Sequence, residues 1–145
     1  MCEATAALPD RLETALASAE RSWADAAPVG ADAVVVLGVG VDALGGQAVA
    51  ALAAAHSPVP VLVVSSPGLP AFIGPRTLVA ALSSSGRDAD TVANTRTALE
   101  RGAPAVVVAP DGPLSSLAAE AGVPWCPLAG DPGLPRAQLG ATVVC

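Results

Sequence analysis

Hydrophobic residues along this chain fall into short blocks, and the blocks follow two different periods. Ala33–Leu37, Val59–Val64, Thr77–Leu82 and Ala105–Val108 are unbroken apolar runs with the length and character of strands covered on both faces. Between them the apolar positions recur every three or four residues. Leu44–Ala55 reads as one helix, and Asp88–Arg101 as a second, with Val92, Thr95 and Leu99 on one face and Gly102 as its stop. Gly112–Ala121 reads as a third that ends at Gly122. Val123–Leu128, interrupted by Pro124 and Pro127, can form only a short edge strand. Ahead of the first strand, Leu12, Leu16, Ala19 and Trp23 share the face of an amphipathic helix that stops before Pro28, with Trp23 as a packing anchor. Residues 1–30 are therefore expected to be an N-terminal helix packing on one domain, 31–145. Pro67–Pro75 is a connection, and Pro135 opens a last short helix. Alternation at this interval builds right-handed βαβ units: an α/β protein with three αβα layers around a parallel sheet of about five strands. In such a sheet, ligands bind beyond the carboxyl ends of the strands.

Composition narrows what this domain can do. At 145 residues it is one domain, able to bury about two thirds of its unfolded surface. Only 2% of residues are aromatic, and a chain dominated by Ala, Val, Leu and Gly lets helices lie close to strands. No apolar run is long enough to span a bilayer, and no basic segment followed by an apolar one marks the N-terminus, so a soluble cytoplasmic protein without membrane partners is expected. A formal charge of −6 argues against nucleic acid, whose phosphates need a basic face. All seven cations are arginines, which removes Schiff-base chemistry and any lysine base. Cys2, Cys126 and Cys145 are odd in number and far apart, so neither a disulfide framework nor a metal site is expected, and no cofactor is implied. His56, the only histidine, stands at the end of the Leu44–Ala55 segment, where a cation complements a helix C-terminus.

Two turns carry the candidate chemistry. The run Thr77–Leu82 stops at Ser83-Ser84-Ser85-Gly86, and an acid-started helix follows; hydroxyls and backbone N–H groups at the positive end of a helix suit a phosphate, sulfate or carboxylate. The alternative is a serine-rich turn with an N-cap. The second turn, Gly38-x-Gly40-x-x-Ala43, matches a dinucleotide fingerprint, but such a site needs an acid at the end of the second strand. Here that strand ends in Ser65-Ser66-Pro67, so the glycines are read as close backbone approach to a smaller ligand.

The serine stretch resembles the Ser-x-Ser-Gly-x-Thr-x-Glu-Thr loop with which sugar isomerase (SIS) domains grip the phosphate of phosphosugars, and Ser83, Ser85, Gly86 and Thr91 fall on it. Gly38–Gly46 is similar to the Gly-Met-Gly-Gly-Ser-x-Ile-Gly-Gly turn of bifunctional phosphoglucose/phosphomannose isomerases, and Leu134–Gly140 to their Gln-Pro-Arg-x-x-Leu-Gly segment. The resemblance, from about Ala31 to the end, implies a flavodoxin-like SIS fold, most similar to the first domain of that enzyme. It implies aldose–ketose isomerisation of hexose 6-phosphates, with Gly40, Asp42, Ser83, Ser85, Gly86, Asp88 and Thr91 at the substrate. Arg136 aligns with the arginine that faces the reacting oxygens, a task suited to a permanent charge. In the resembled enzymes the glutamate, histidine and lysine of catalysis come from a second SIS domain, absent here, and SIS domains commonly pair. The expected partners are thus a hexose 6-phosphate and either a second copy of this chain or a partner SIS domain.

Three positions depart from the pattern. Val41 replaces a glycine, Asp42 stands where a phosphate-contacting serine is usual, and Asp88 takes the place of the loop threonine. A carboxylate about 4 Å from a phosphate charge costs on the order of 4 kcal/mol at an effective dielectric near 20, which Arg87 would offset in part. The alternative role of Asp88 and Asp90 is helix capping and dipole complementarity, and Asp42 can likewise cap the helix after the glycine turn. Three readings follow: a phosphosugar-binding domain catalytically incomplete alone, a domain active within an assembly or as the first half of a longer enzyme with the missing base supplied by another chain, or a non-catalytic scaffold or regulatory remnant without sugar affinity.

Overall fold

The computed structural model describes residues 30–128, together with Ala17, which is helical and half-buried. The expected helix over Leu12–Trp23 otherwise lies outside the described residues, as do the segment opened by Pro135, its Arg136, Cys2 and Cys145.

Five strands, β1 (Ala33–Leu37), β2 (Val61–Val64), β3 (Thr77–Leu82), β4 (Ala105–Ala109) and β5 (Trp125–Pro127), form one sheet in the order β2-β1-β3-β4-β5. Every pairing is parallel. Helix α1 (Val41–Ala54) links β1 to β2, α2 (Ala89–Glu100) links β3 to β4, and α3 (Pro113–Ala121) links β4 to β5. From β1 the chain winds first to β2 and later to β3 on the other side, so the carboxyl ends of β1 and β3 flank the point where strand order reverses. At the opposite end, Arg76 and Asp32 form an exposed bidentate pair joining the starts of β3 and β1.

Period-two burial sorts the strand residues into two cores. Val35, Leu37, Val79, Ala81, Val107 and Ala109 face Ala98 of α2 and Leu114 and Ala118 of α3. Val36, Leu82, Val108, Cys126 and Leu128 point to the other face, where Val61 and Val63 join them. Gly46 of α1 lies against that face, with a Cβ there placed only 2.7 Å from Cγ1 of Val36. The result is three αβα layers around a parallel five-stranded sheet.

Several boundaries differ from the sequence expectation for identifiable reasons. Helix α1 begins at Val41 rather than Leu44, because Gly40 at φ 62° turns the chain and its carbonyl accepts the Leu44 N–H at 3.2 Å. β2 begins at Val61: Pro60 has no N–H for the ladder, although its carbonyl accepts from Val34 at 2.9 Å. The buried face of α2 is Thr91, Asn94, Thr95 and Ala98, while Val92 and Leu99 are half-buried at its edge. Small and hydroxylated side chains let this helix sit low on the sheet, and Thr95 Oγ1 donates to the Thr91 carbonyl at 2.7 Å, so its burial leaves no unmade bond.

Candidate functional site

The loop from Ser83 to Asp88 is held by hydrogen bonds within itself and to the elements beside it. Ser83 is fully buried, its N–H donates to the Val108 carbonyl, and its Oγ accepts the Gly86 N–H at 3.0 Å. Ser85 is exposed; its Oγ lies 3.4 Å from Ser83 Oγ and accepts the Arg87 N–H at 3.2 Å. Gly86 has φ 66°, and a Cβ there would stand 2.9 Å from the Pro110 carbonyl oxygen, so glycine is required twice over. Its own carbonyl accepts from Leu114 at 3.1 Å, tying the loop to the start of α3.

Asp88 is the N-cap of α2: Oδ1 accepts the Thr91 N–H at 2.8 Å, and Asp90 adds a second carboxylate to the first turn. No hydrogen bond to a described residue engages the amides of Ser85, Ala89 and Asp90. These donors, the Ser85 hydroxyl and the exposed Arg87 guanidinium gather at the positive end of a twelve-residue helix, an arrangement able to hold an anion.

Asp42 comes from the other turn. It does not cap α1, whose N-cap is Gly40 with no side-chain bond. Instead Asp42 Oδ2 accepts from Ser84 twice, from the N–H at 3.0 Å and from Oγ at 3.1 Å, so the carboxylate bridges the glycine turn and the serine loop. The residue is 6% exposed, and Oδ1 is buried without a hydrogen-bond partner among the described residues. Burial pushes the Asp42 carboxyl above its ordinary value; the two bonds from Ser84 oppose the shift, and the charge of Asp88 adds to it.

The expected site residues thus separate into groups. Gly40, Asp42, Ser83, Ser85, Gly86 and Asp88 converge on the adjacent carboxyl ends of β1 and β3. Thr91 lies on the buried side of α2, 1% exposed, with Oγ1 unpartnered among the described residues. Arg136 lies outside the described residues. His56 is exposed just beyond the far end of α1, about 20 Å along a fourteen-residue helix from the glycine turn, so it has no part in this rim. No described helix is long and apolar enough to cross a membrane, and no cluster of metal-ligating side chains is present among the described residues.

Sequence reasoning passed over two residues that shape the rim. Ser84 supplies both donors to Asp42. Asn94, 6% exposed, donates from Nδ2 to the Ser66 carbonyl and accepts the Gly68 N–H at Oδ1, both at 3.0 Å, clamping the β2–β3 connection to α2. The one signal for Asn94 was a carboxamide on the helical face that also carries Thr91 and Thr95, a polar group that burial obliges to find partners.

No protein-family model and no curated protein matches the sequence. Solved structures match in fold. The Vibrio vulnificus NanR protein, solved in complex with ManNAc-6P, superposes with a TM-score of 0.67 at 22% identity, over 97% of this chain and 56% of that one. A protein of Salmonella typhimurium proposed to be a phosphosugar isomerase gives 0.61 at 21% identity over 92% of this chain and 42% of its own. The sugar isomerase domain of an RpiR transcription factor from Sphaerobacter thermophilus gives 0.64 at 20% identity, over 98% and 86% of the two chains. These proteins share the three-layer fold described above. The chain spans about half the length of the first and less of the second.

Proposed function

We propose that this chain is a phosphosugar-binding domain of the sugar isomerase type, taking a hexose 6-phosphate at the serine loop and incomplete as a catalyst on its own. The observation that carries the reading is the meeting of the Ser83–Arg87 loop, at the N-terminus of α2, with the Gly38–Gly40 turn at the neighbouring carboxyl ends of β3 and β1. Ser85 Oγ, the amides of Ser85, Ala89 and Asp90, and Arg87 are the donors for the phosphate. The sugar 6-phosphate held by NanR supports the ligand class.

Isomerisation of the phosphoglucose or phosphomannose type needs a base to move a proton between C1 and C2 and a cation facing the enediolate oxygens. Arg136 is the proposed cation. Among the described residues no lysine stands at the rim, His56 is far from it, and the carboxylates of Asp42 and Asp88 are engaged by Ser84 and by the Thr91 N–H. The base is therefore assigned to a second SIS domain, in another copy, in another chain or in a longer chain of which this is the first part. A cytoplasmic location fits a phosphosugar ligand.

The test is the thermal midpoint against fructose 6-phosphate, glucose 6-phosphate and mannose 6-phosphate, with inorganic phosphate and free sugars as controls. A ligand at about 100 times its dissociation constant adds about 2.7 kcal/mol, a shift of several degrees. The shift is expected with at least one sugar phosphate and is expected to shrink in Ser85→Ala, an exposed position, with the unliganded midpoint of the variant as the control for the fold. A second reading, a scaffold or regulatory domain without sugar affinity, is favoured by the Asp42 carboxylate already engaging the donors of Ser84. Absence of a shift with every phosphate would establish it over the first.

A further inference from the structure

We propose that Asp42 is a specificity-determining residue that couples anion binding at the serine loop to the uptake of one proton. This rests on the anion-site reading above. The carboxylate is joined to the loop through Ser84, and its second oxygen is buried with no described partner. Among the described residues no cation faces it from the elements packed on its helix: α1 lies on β2, β1 and β3, and none of these strands carries a titratable side chain. Nor does α1 carry another charged residue. From the loop side the charged groups are Arg87, exposed to solvent, Asp88, whose charge opposes that of Asp42, and Asp90 in the first turn of α2.

An anion entering the loop therefore meets a buried negative charge held one residue away. That charge is lost most readily by protonation, because burial already disfavours the ionised form. Protonation need not open the bridge, since the Ser84 hydroxyl can accept from the acid as readily as it donates to the carboxylate. Where a serine would leave the site indifferent to pH, this aspartate makes affinity for the anion rise as pH falls.

A hexose 6-sulfate, which stays singly charged throughout, separates the titration of the protein from that of a phosphate. Binding is measured by calorimetry between about pH 5 and 8, in buffers of different ionisation enthalpy, so that protons taken up are counted. The wild-type chain is expected to take up a fraction of a proton approaching about one per anion, with affinity falling up to about tenfold per pH unit above the Asp42 pKa. Asp42→Asn, and independently Asp42→Ser, are expected to bind with flat pH dependence and no proton uptake. Wild-type binding without proton uptake would overturn the coupling and leave the anion site standing. The same holds if uptake is unchanged in both variants. No binding by the wild type or either variant at any pH would overturn the anion site itself.

Discussion

At Gly86 two demands coincide on one residue. Its left-handed backbone, φ 66°, and the Pro110 carbonyl 2.9 Å from a Cβ position both exclude a side chain, and neither obstacle is the flexible end of a neighbour. Gly86→Ala is expected to lose about 2 kcal/mol or more in urea unfolding, since the left-handed backbone alone costs roughly 1–2 kcal/mol and the contact adds to it. It should also abolish any phosphosugar shift, because the strain falls on the loop that holds the donors. Asp42 makes a different prediction. Its carboxyl is raised in the folded protein, so as pH rises the unfolded chain ionises first and folding loses stability from about the ordinary value of 3.8 up to the folded value. Above that the loss is constant. Asp42→Asn keeps an acceptor for Ser84 and removes the charge, so its stability relative to wild type should grow with pH through this window and then level. Urea midpoints that track each other from acid to neutral pH would contradict it.

For the elements, close packing of helix on sheet decides where the turns stand. Gly46 is a point of close approach of α1 to the sheet, with Cγ1 of Val36 at 2.7 Å and Cγ2 of Val63 at 3.4 Å from a Cβ position. Gly46→Ala is expected to lift α1 and cost about 1–3 kcal/mol, as overpacking does. Val36→Ala in the same chain should recover part of that, and a double-mutant cycle with no coupling would show that the helix lies elsewhere. Gly40 and Gly46 were both legible within the Gly38–Gly46 stretch, but the structural reason for each was not. Gly40 serves a turn at positive φ, whereas Gly46 serves contact with a strand four residues before that turn. Helix α2 shows the converse. Its spacing put Val92, Thr95 and Leu99 on one face: Thr95 is buried and Val92 and Leu99 pack half-buried against the core. Thr91, Asn94 and Ala98 complete the buried face, and Asn94 and Thr95 find backbone partners that periodicity does not reveal.

For the whole molecule, the outer side of α1 and the β2 edge remain apolar. Leu44, Leu52 and Leu62 are 53%, 67% and 42% exposed, and the helix bears no charge after Asp42. A helix apolar on its outward face is unusual for a surface helix, which accords with pairing to a second copy or a partner domain. Sedimentation at micromolar concentration is expected to show a dimer that Leu44→Glu and Leu52→Glu together dissociate. A wild-type profile containing monomer alone would refute it.

What the sequence determined by itself was local. Apolar runs, helical spacing and the glycine and proline stops set the number, kind and approximate bounds of the elements between Ala33 and Leu128, since each depends on residues a few positions apart. The two turns were legible for the same reason. That both turns lie at one rim of the sheet followed from the alternation of strand and helix; only the tertiary structure decided strand order, and with it the direct adjacency of β1 and β3 that brings residues 40–42 beside residues 83–88. The same holds for the Asp42–Ser84 bridge, spanning 42 positions, and for the Asn94 clamp on Ser66 and Gly68, spanning 28 and 26. These contacts satisfy polar groups that burial has cut off from water, and which groups are buried together is fixed by how the layers stack rather than by any local pattern.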